Sequence, residues 1–196
     1  MMPDSFLNKI AEEVKMCKLC PLQKSRKKAV PGEGSSKAKL MLIGEAPGIE
    51  EDKQGRPFVG RAGKILDDAL RFANLDRKDL FITSVVKCKP PNNRIPTLEE
   101  RKACKPYLKR QIDAIKPKII CLLGNIALQT FFKKAHISKL RGKAIKRGNC
   151  IYFCTYHPAA ALYNTSLKSI IYEDMKRMKE LIENLDTVND DRLMLR

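Results

Sequence analysis

The residues best suited to chemistry are sulfur ligands. Cys17 and Cys20 are separated by two residues, a spacing that lets adjacent turns grip one metal centre, and Cys88 and Cys104 would complete a four-thiolate set. The spacing leaves open whether Cys88 and Cys104 join that set or are ordinary core residues. It also leaves the metal open, because tetrahedral sulfur ligation suits zinc and an iron–sulfur cluster equally. Cys121, Cys150 and Cys154 lie in apolar, strand-like runs and read as core. Seven cysteines, with no N-terminal export signal, are expected of a cytoplasmic protein whose thiols serve as ligands or core residues instead of disulfides.

Three further side chains stand where chemistry or simple packing would explain them. Glu45 sits in Gly44-Glu45-Ala46-Pro47-Gly48, a glycine-bounded loop that fails as a phosphate loop because no Gly-Lys-Ser/Thr follows. Its carboxylate is either held at a strand end among converging amides or is a surface glutamate in a turn. His157, one of two histidines, precedes Pro158 where the chain must leave a strand, whereas His136 lies in a basic loop without catalytic context. Phe58, between Pro57 and Val59, either stacks on a planar ligand or packs in the core.

The elements that must position these residues can be read from periodicity. Phe6, Leu7, Ile10, Ala11 and Val14 predict a helix ending near Cys17, with Asp4 and Ser5 able to cap its first turn. Leu40 to Ile43 form a buried strand delivering the Glu45 loop. Ile65 to Ala73 mark a second helix, and Leu80 to Lys87 a strand delivering Cys88. Thr97 and Glu100 make a capping box for a helix that carries Cys104 and that Pro106 should kink or split. Lys118 to Leu123 predict a third strand, Asn125 to Phe132 a helix, and Arg147-Gly148-Asn149 a turn between strands. Ile170, Ile171, Met175, Met178 and Ile182 mark a closing helix.

Strands alternating with helices imply an α/β fold, a three-layer α/β/α sandwich around a central, largely parallel sheet. The Glu45, Cys88 and His157 segments then follow strand carboxyl ends, where ligands of such sheets bind. We expect one domain over residues 1–185, with 186–196 a disordered tail.

Composition narrows the partners. Of 196 residues 39 are Lys or Arg and 22 Asp or Glu, a net charge of +17 that suits either a polyanionic partner or a lysine-rich, thermophilic surface. No apolar run reaches the roughly 18 residues of a membrane span.

Taken together, five segments in order resemble the iron–sulfur uracil-DNA glycosylases of thermophilic bacteria and archaea, known as family 4. They are Cys17-Lys18-Leu19-Cys20, the Gly44 to Gly48 loop with Glu51-Asp52, Gly55-Arg56-Pro57-Phe58-Val59-Gly60-Arg61-Ala62-Gly63, Val85 to Pro91 with Asn93-Arg94, and His157-Pro158-Ala159-Ala160. The resemblance covers about residues 6 to 185. It implies a uracil-DNA glycosylase-like fold and a [4Fe-4S] cluster on Cys17, Cys20, Cys88 and Cys104. It further implies a DNA repair hydrolase that flips uracil out of single- or double-stranded DNA and cleaves its N-glycosidic bond.

By the same resemblance Glu45 matches the carboxylate associated with the attacking water, Phe58 the aromatic stacking on uracil, and His157 the histidine facing uracil O2. Gly44 and Ala46 match the pocket's backbone lining. Ser84 is a departure, because many members carry asparagine there to read the uracil edge, which opens the way to an altered base preference. Arg61, Lys87, Lys89, Arg94 and Arg141 are expected to neutralise phosphates of the DNA backbone. The protein is expected to act as a monomer. Alternative readings are a glycosylase for another deaminated base and a non-catalytic nucleic-acid-binding module with a cluster or zinc.

Overall fold

The computed structural model describes residues 3–185, so the expected tail at 186–196 lies outside the described residues. Six strands form one sheet in the order β1-β3-β2-β4-β6-β5: β1 Glu33–Gly34, β2 Leu40–Gly44, β3 Phe81–Ser84, β4 Ile119–Leu123, β5 Ala144–Arg147 and β6 Cys150–Thr155. The central four, β3, β2, β4 and β6, run parallel, and the edges β1 and β5 are antiparallel to their neighbours. β2, β3 and β4 are buried along their whole length, which explains their unbroken apolar runs.

Among the described residues seven α-helices cover the sheet: α1 Pro3–Met16, α2 Ile49–Gln54, α3 Arg61–Phe72, α4 Leu98–Ile115, α5 Gly124–Phe131, α6 Ile137–Leu140 and α7 Leu167–Leu185. The strand period of two sorts the core into two layers. Met41, Ile43, Ile120, Leu122 and Cys154 meet Ile10 and Val14 of α1, Leu108 of α4 and Leu128 of α5. Leu40, Leu42, Cys121, Leu123 and Phe153 meet Leu66 and Leu70 of α3 and Met175 of α7. The result is the expected α/β/α sandwich.

Two expectations about local structure need correction, and one helix had no expectation at all. The strand predicted over Leu80 to Lys87 stops at Ser84, because the Val85 and Val86 amides bond to Gly44 and Glu45 carbonyls while the Lys87 carbonyl accepts from Val30, bending the chain. Pro106 does not split α4, which is continuous from Leu98 to Ile115. Both Pro106 and Lys102, whose carbonyl loses its partner, face solvent, where water can satisfy that carbonyl. α2 was not anticipated, because its N-cap is Gly48, which offers no side-chain oxygen; Glu51 supplies the other half of a capping box, accepting from the Gly48 amide at 3.1 Å.

The chain leaves β2 toward β3 on one side and later returns to β4 on the other. That reversal creates the crevice beside the carboxyl end of β2 where such sheets bind ligands.

Candidate functional site

A cleft of ≈ 560 Å³ opens at this end of the sheet, and Glu45, Ala46, Phe58, Ser84 and His157 all line it. Strand register explains the convergence. Gly44 pairs with Ser84 across β2 and β3, so Glu45 and Ser84 emerge side by side, and β6 delivers His157 from two strands away. A side chain at Gly44 would sit 2.6 Å from Phe58 Cζ; only glycine lets the ring lie over the strand end.

Phe58 is held in an unusual way. Its φ is +52°, a left-handed conformation disfavoured for a bulky residue, and outliers of this kind concentrate at ligand sites. Arg77 clamps it: Nη1 donates to the Phe58 carbonyl at 3.0 Å, Nη2 donates to the Pro57 carbonyl, and the same guanidinium pairs with Asp67 at 2.8 Å and Glu33 at 3.0 Å. On the other side Gly63 presses so close that a Cβ there would lie 2.0 Å from the Phe58 carbonyl oxygen. The Phe58 ring then packs against the His157 ring with centroids 5.6 Å apart.

Glu51 ties the two loops of the cleft together. One carboxylate oxygen accepts from the Gly48 amide, and the other accepts from Val59 and Gly60 at 2.8 Å each. Neither Arg77 nor the bridging function of Glu51 was anticipated. Both act on backbone groups, Arg77 on carbonyls 19 and 20 residues away and Glu51 on amides of two loops, which residue types alone do not reveal.

The two ionisable groups of the cleft are displaced in opposite directions by the same cause. Burial raises Glu45 above the ordinary carboxylate value, with the positive charge of Arg101 opposing. Burial lowers His157 to about 4, so it is neutral at pH 7, with the charge of Glu51 opposing. The tautomer follows from a hydrogen bond: His157 Nδ1 accepts from the Ala159 amide at 3.1 Å, which leaves the ring proton on Nε2. Ser84 is buried against the sheet yet lines the cleft.

Cys17, Cys20, Cys88 and Cys104 line a second, small and wholly apolar gap beside Val14, Leu19 and Tyr107. α1 ends just before Cys17, α4 carries Cys104, and the bend after β3 brings Cys88. Arg26 Nη1 donates to Cys88 Sγ at 3.0 Å, and the Lys87 amide donates to Cys104 Sγ at 3.2 Å. Burial raises three of these thiols: Cys104 up to about 11, Cys88 against the pull of Arg26, and Cys20. Among the described residues no three potential ligands close on a single ion. Four sulfurs facing one apolar gap, with N–H donors at two of them, are a donor set that fits a thiolate-ligated centre. Cys121 and Cys154 are fully buried in the two core layers, as expected of packing residues.

Of the five cations expected at phosphates, Arg61 and Arg94 line the cleft, although Arg94 is also paired with Glu100 at 2.6 Å. Lys89 is half-buried with Nζ near the Pro90 carbonyl. Two must be corrected. Lys87 is only 1% exposed and directs its ammonium inward, out of reach of a phosphate. Arg141 Nη1 lies 3.0 Å from Asp174, a fully buried carboxylate that also accepts from Thr155, and it stands apart from the cleft lining.

A mostly parallel α/β sheet with an acid, a neutral imidazole and an aromatic platform at its switch point defines a class, and residues 31–185 match the model of the Uracil DNA glycosylase superfamily. The chain is 52% identical to a type-4 uracil-DNA glycosylase of Sulfurisphaera tokodaii, covering 89% of this chain and 84% of the relative. It is 48% identical to the type-4 enzyme of Saccharolobus solfataricus, covering 95% and 91%, and 44% identical to that of Thermotoga maritima, covering 92% and 96%. The chain therefore belongs to the type-4 uracil-DNA glycosylases.

Proposed function

We propose that this protein excises uracil from DNA by hydrolysing the bond between base and sugar, releasing free uracil and leaving an abasic site. The observation that carries the proposal is the meeting of Glu45, Phe58, Ser84 and neutral His157 in one cleft of a chain so similar to type-4 enzymes.

The scissile bond is hidden in stacked DNA, so the nucleotide must swing into the cleft, and pocket contacts must offset an unstacking cost of a few kcal/mol. Phe58, already fixed by Arg77 and Gly63, offers a platform whose ordering cost is met during folding. Bond cleavage leaves negative charge on the base and positive charge on the sugar. His157 Nε2–H donates to uracil O2 as charge develops there, and a neutral donor already fixed in place needs no reorganisation. Glu45, ionised at neutral pH, orients water at the sugar C1′ and offsets its positive charge. Gly44 and Ala46 supply backbone lining, and the Ser84 hydroxyl reads the base edge.

Cys17, Cys20, Cys88 and Cys104 would hold a [4Fe-4S] cluster. Such a cluster supplies a rigid anchor joining α1, α4 and the bend after β3; hydrolysis of the glycosidic bond moves no electrons. Arg61 and Arg94 of the cleft lining, with Lys89 beside Pro90, are the cations for the phosphates of single- or double-stranded DNA. Among the described residues no helix is long and apolar enough to cross a membrane. The protein acts as a monomer in the cytoplasm.

The test is release of free uracil from a uracil-containing oligonucleotide, by wild type and by a Glu45→Gln/His157→Asn double variant. Release by wild type alone supports the proposal; no release by either refutes it. Ser84 favours one second reading, a preference for another deaminated base. In that case hypoxanthine or xanthine substrates are cleaved faster than uracil.

A further inference from the structure

Lys87 heads the fully buried side chains by size, and the excision chemistry does not use it. Its Nζ donates to Thr83 Oγ1, to the Ser84 carbonyl at 2.8 Å and to Gln111 Oε1 at 2.8 Å. Gln111 and Thr83 are in turn fixed by the Pro31 carbonyl, so the ammonium sits in a closed polar network. All three of its acceptors are uncharged. An ammonium buried with neutral partners alone is strongly disfavoured unless negative charge stands nearby.

The neighbouring groups are sulfurs. Cys88 follows Lys87 directly, the Lys87 amide donates to Cys104 Sγ, and Arg26 contacts Cys88 Sγ from the other side. The Arg26 guanidinium and the Lys87 backbone amide thus reach two of the four sulfurs and Lys87 lines the same gap as all four, while its side chain reaches back to Ser84, which ends β3 and lines the cleft. The Ser84 carbonyl it holds belongs to the same peptide whose following amide, on Val85, bonds to the Gly44 carbonyl. A displacement of Lys87 would therefore reach both strand ends of the cleft floor.

We propose that Lys87 is a positioning residue joining the sulfur centre to the base-reading end of β3, its charge balancing the centre and its hydrogen bond to the Ser84 carbonyl fixing the cleft floor. The inference rests on the reading that the four cysteines hold an anionic iron–sulfur cluster. It departs from a phosphate role, because the ammonium acts inside the protein.

The experiment compares purified wild type, Lys87→Met and Gln111→Met, each with its iron and acid-labile sulfide measured first. In Lys87→Met the cluster's reduction potential moves to a more negative value, because a positive charge that favours the reduced form is gone. Its single-turnover uracil excision falls about tenfold, the equivalent of one unsatisfied carbonyl. Its DNA affinity falls with salt along the wild-type slope, since no phosphate contact is lost. Gln111→Met keeps the charge, so its potential stays at the wild-type value while excision falls several-fold; it carries the test if Lys87→Met does not fold. Iron-replete variants with wild-type potential and wild-type excision overturn the assignment to Lys87. Wild-type protein without stoichiometric iron and sulfide overturns the cluster reading itself, and with it the charge-balancing role.

Discussion

The base cleft and the cysteine corner lie on either side of the same strand end and are built on opposite plans. In the cleft, the groups that meet the ligand are held by polar neighbours. Arg77 clamps the Phe58 backbone, Glu51 gathers the amides of two loops, and the Ala159 amide fixes the His157 tautomer. In the cysteine corner the sulfurs face an apolar gap and are placed by helix ends and a chain bend. The first plan fixes orientation to a fraction of an ångström and leaves an open mouth; the second brings chain segments together and shuts water out. Substitutions in the cleft should therefore change rate with little effect on stability, and substitutions in the corner should do the reverse.

The sharpest break of that comparison is Glu45→Gln. Loss of the carboxylate should slow single-turnover excision about 10³-fold, within the range for removing a positioned general base, with Tm unchanged. Its pH dependence sharpens the point. Burial lifts Glu45 above the usual carboxylate range while His157 stays neutral down to about 4, so the acid limb of the wild-type rate profile belongs to Glu45. The limb should lie above pH 4.5 and vanish in Glu45→Gln; a limb that survives assigns it elsewhere. Stability responds to the histidine in the other sense. Between pH 6.5 and 4 the unfolded chain binds a proton that folded His157 refuses, so its contribution is full above 6.5 and is lost as pH falls toward 4. His157→Asn should lose less stability over that window than wild type, as followed by urea denaturation.

The cysteine corner should behave conversely. Cys88→Ala should strip the iron and lower Tm by about 10 °C, because a buried ligand set left incomplete forfeits folding free energy. Cys121→Ala trims a core residue, so it should lower Tm by only a few degrees with iron content intact. Equal iron in both variants would remove the distinction between ligand and core cysteines.

Arg77 tests the polar plan from outside the cleft lining. Arg77→Lys keeps the charge but cannot fork to two carbonyls, so the left-handed Phe58 backbone loses its clamp. Excision should fall about tenfold with DNA affinity held, read as a change in single-turnover rate against filter binding. A fall in affinity with an unchanged rate would place Arg77 in DNA contact instead.

The same contrast explains what could be read from the residues alone. The sandwich was legible because buried parallel strands leave unbroken apolar runs such as Leu40 to Ile43, and the first cysteine pair because ligand spacing is local. Glu45, Phe58 and His157 were conspicuous by position, but each has an ordinary packing or surface explanation, and only the resemblance gave them roles. Arg77 was invisible, as its partners are carbonyls 19 and 20 residues away. Lys87 was misread for a different reason. In a chain with 39 basic residues a lysine reads as surface charge, and nothing in its own position marks the one that turns inward to Gln111, 24 residues on.

The smallest effect concerns the lip of the cleft, where neither plan operates. Tyr163 follows the His157–Leu162 segment, lines the cleft mouth and is 90% exposed, whereas Ala161 in the same turn is 5% exposed and packs inward. The apolar stretch Ala159 to Leu162 suits either filling the space left by a flipped base or packing in the core, and the exposed aromatic is one residue further on. A phenol ring there can stack on the neighbours of the vacated site, an interaction worth about 1–3 kcal/mol per base in single-strand binders. In a duplex the ring also offsets the stacking lost when the base leaves, a cost that single-stranded DNA does not carry. Tyr163→Ala should therefore slow excision from double-stranded DNA about fivefold, the lower end of that range, and from single-stranded DNA by less. An equal fall on both substrates would make Tyr163 a general DNA contact, and no change on either would move the filling role to another apolar side chain of the lining, such as Leu162.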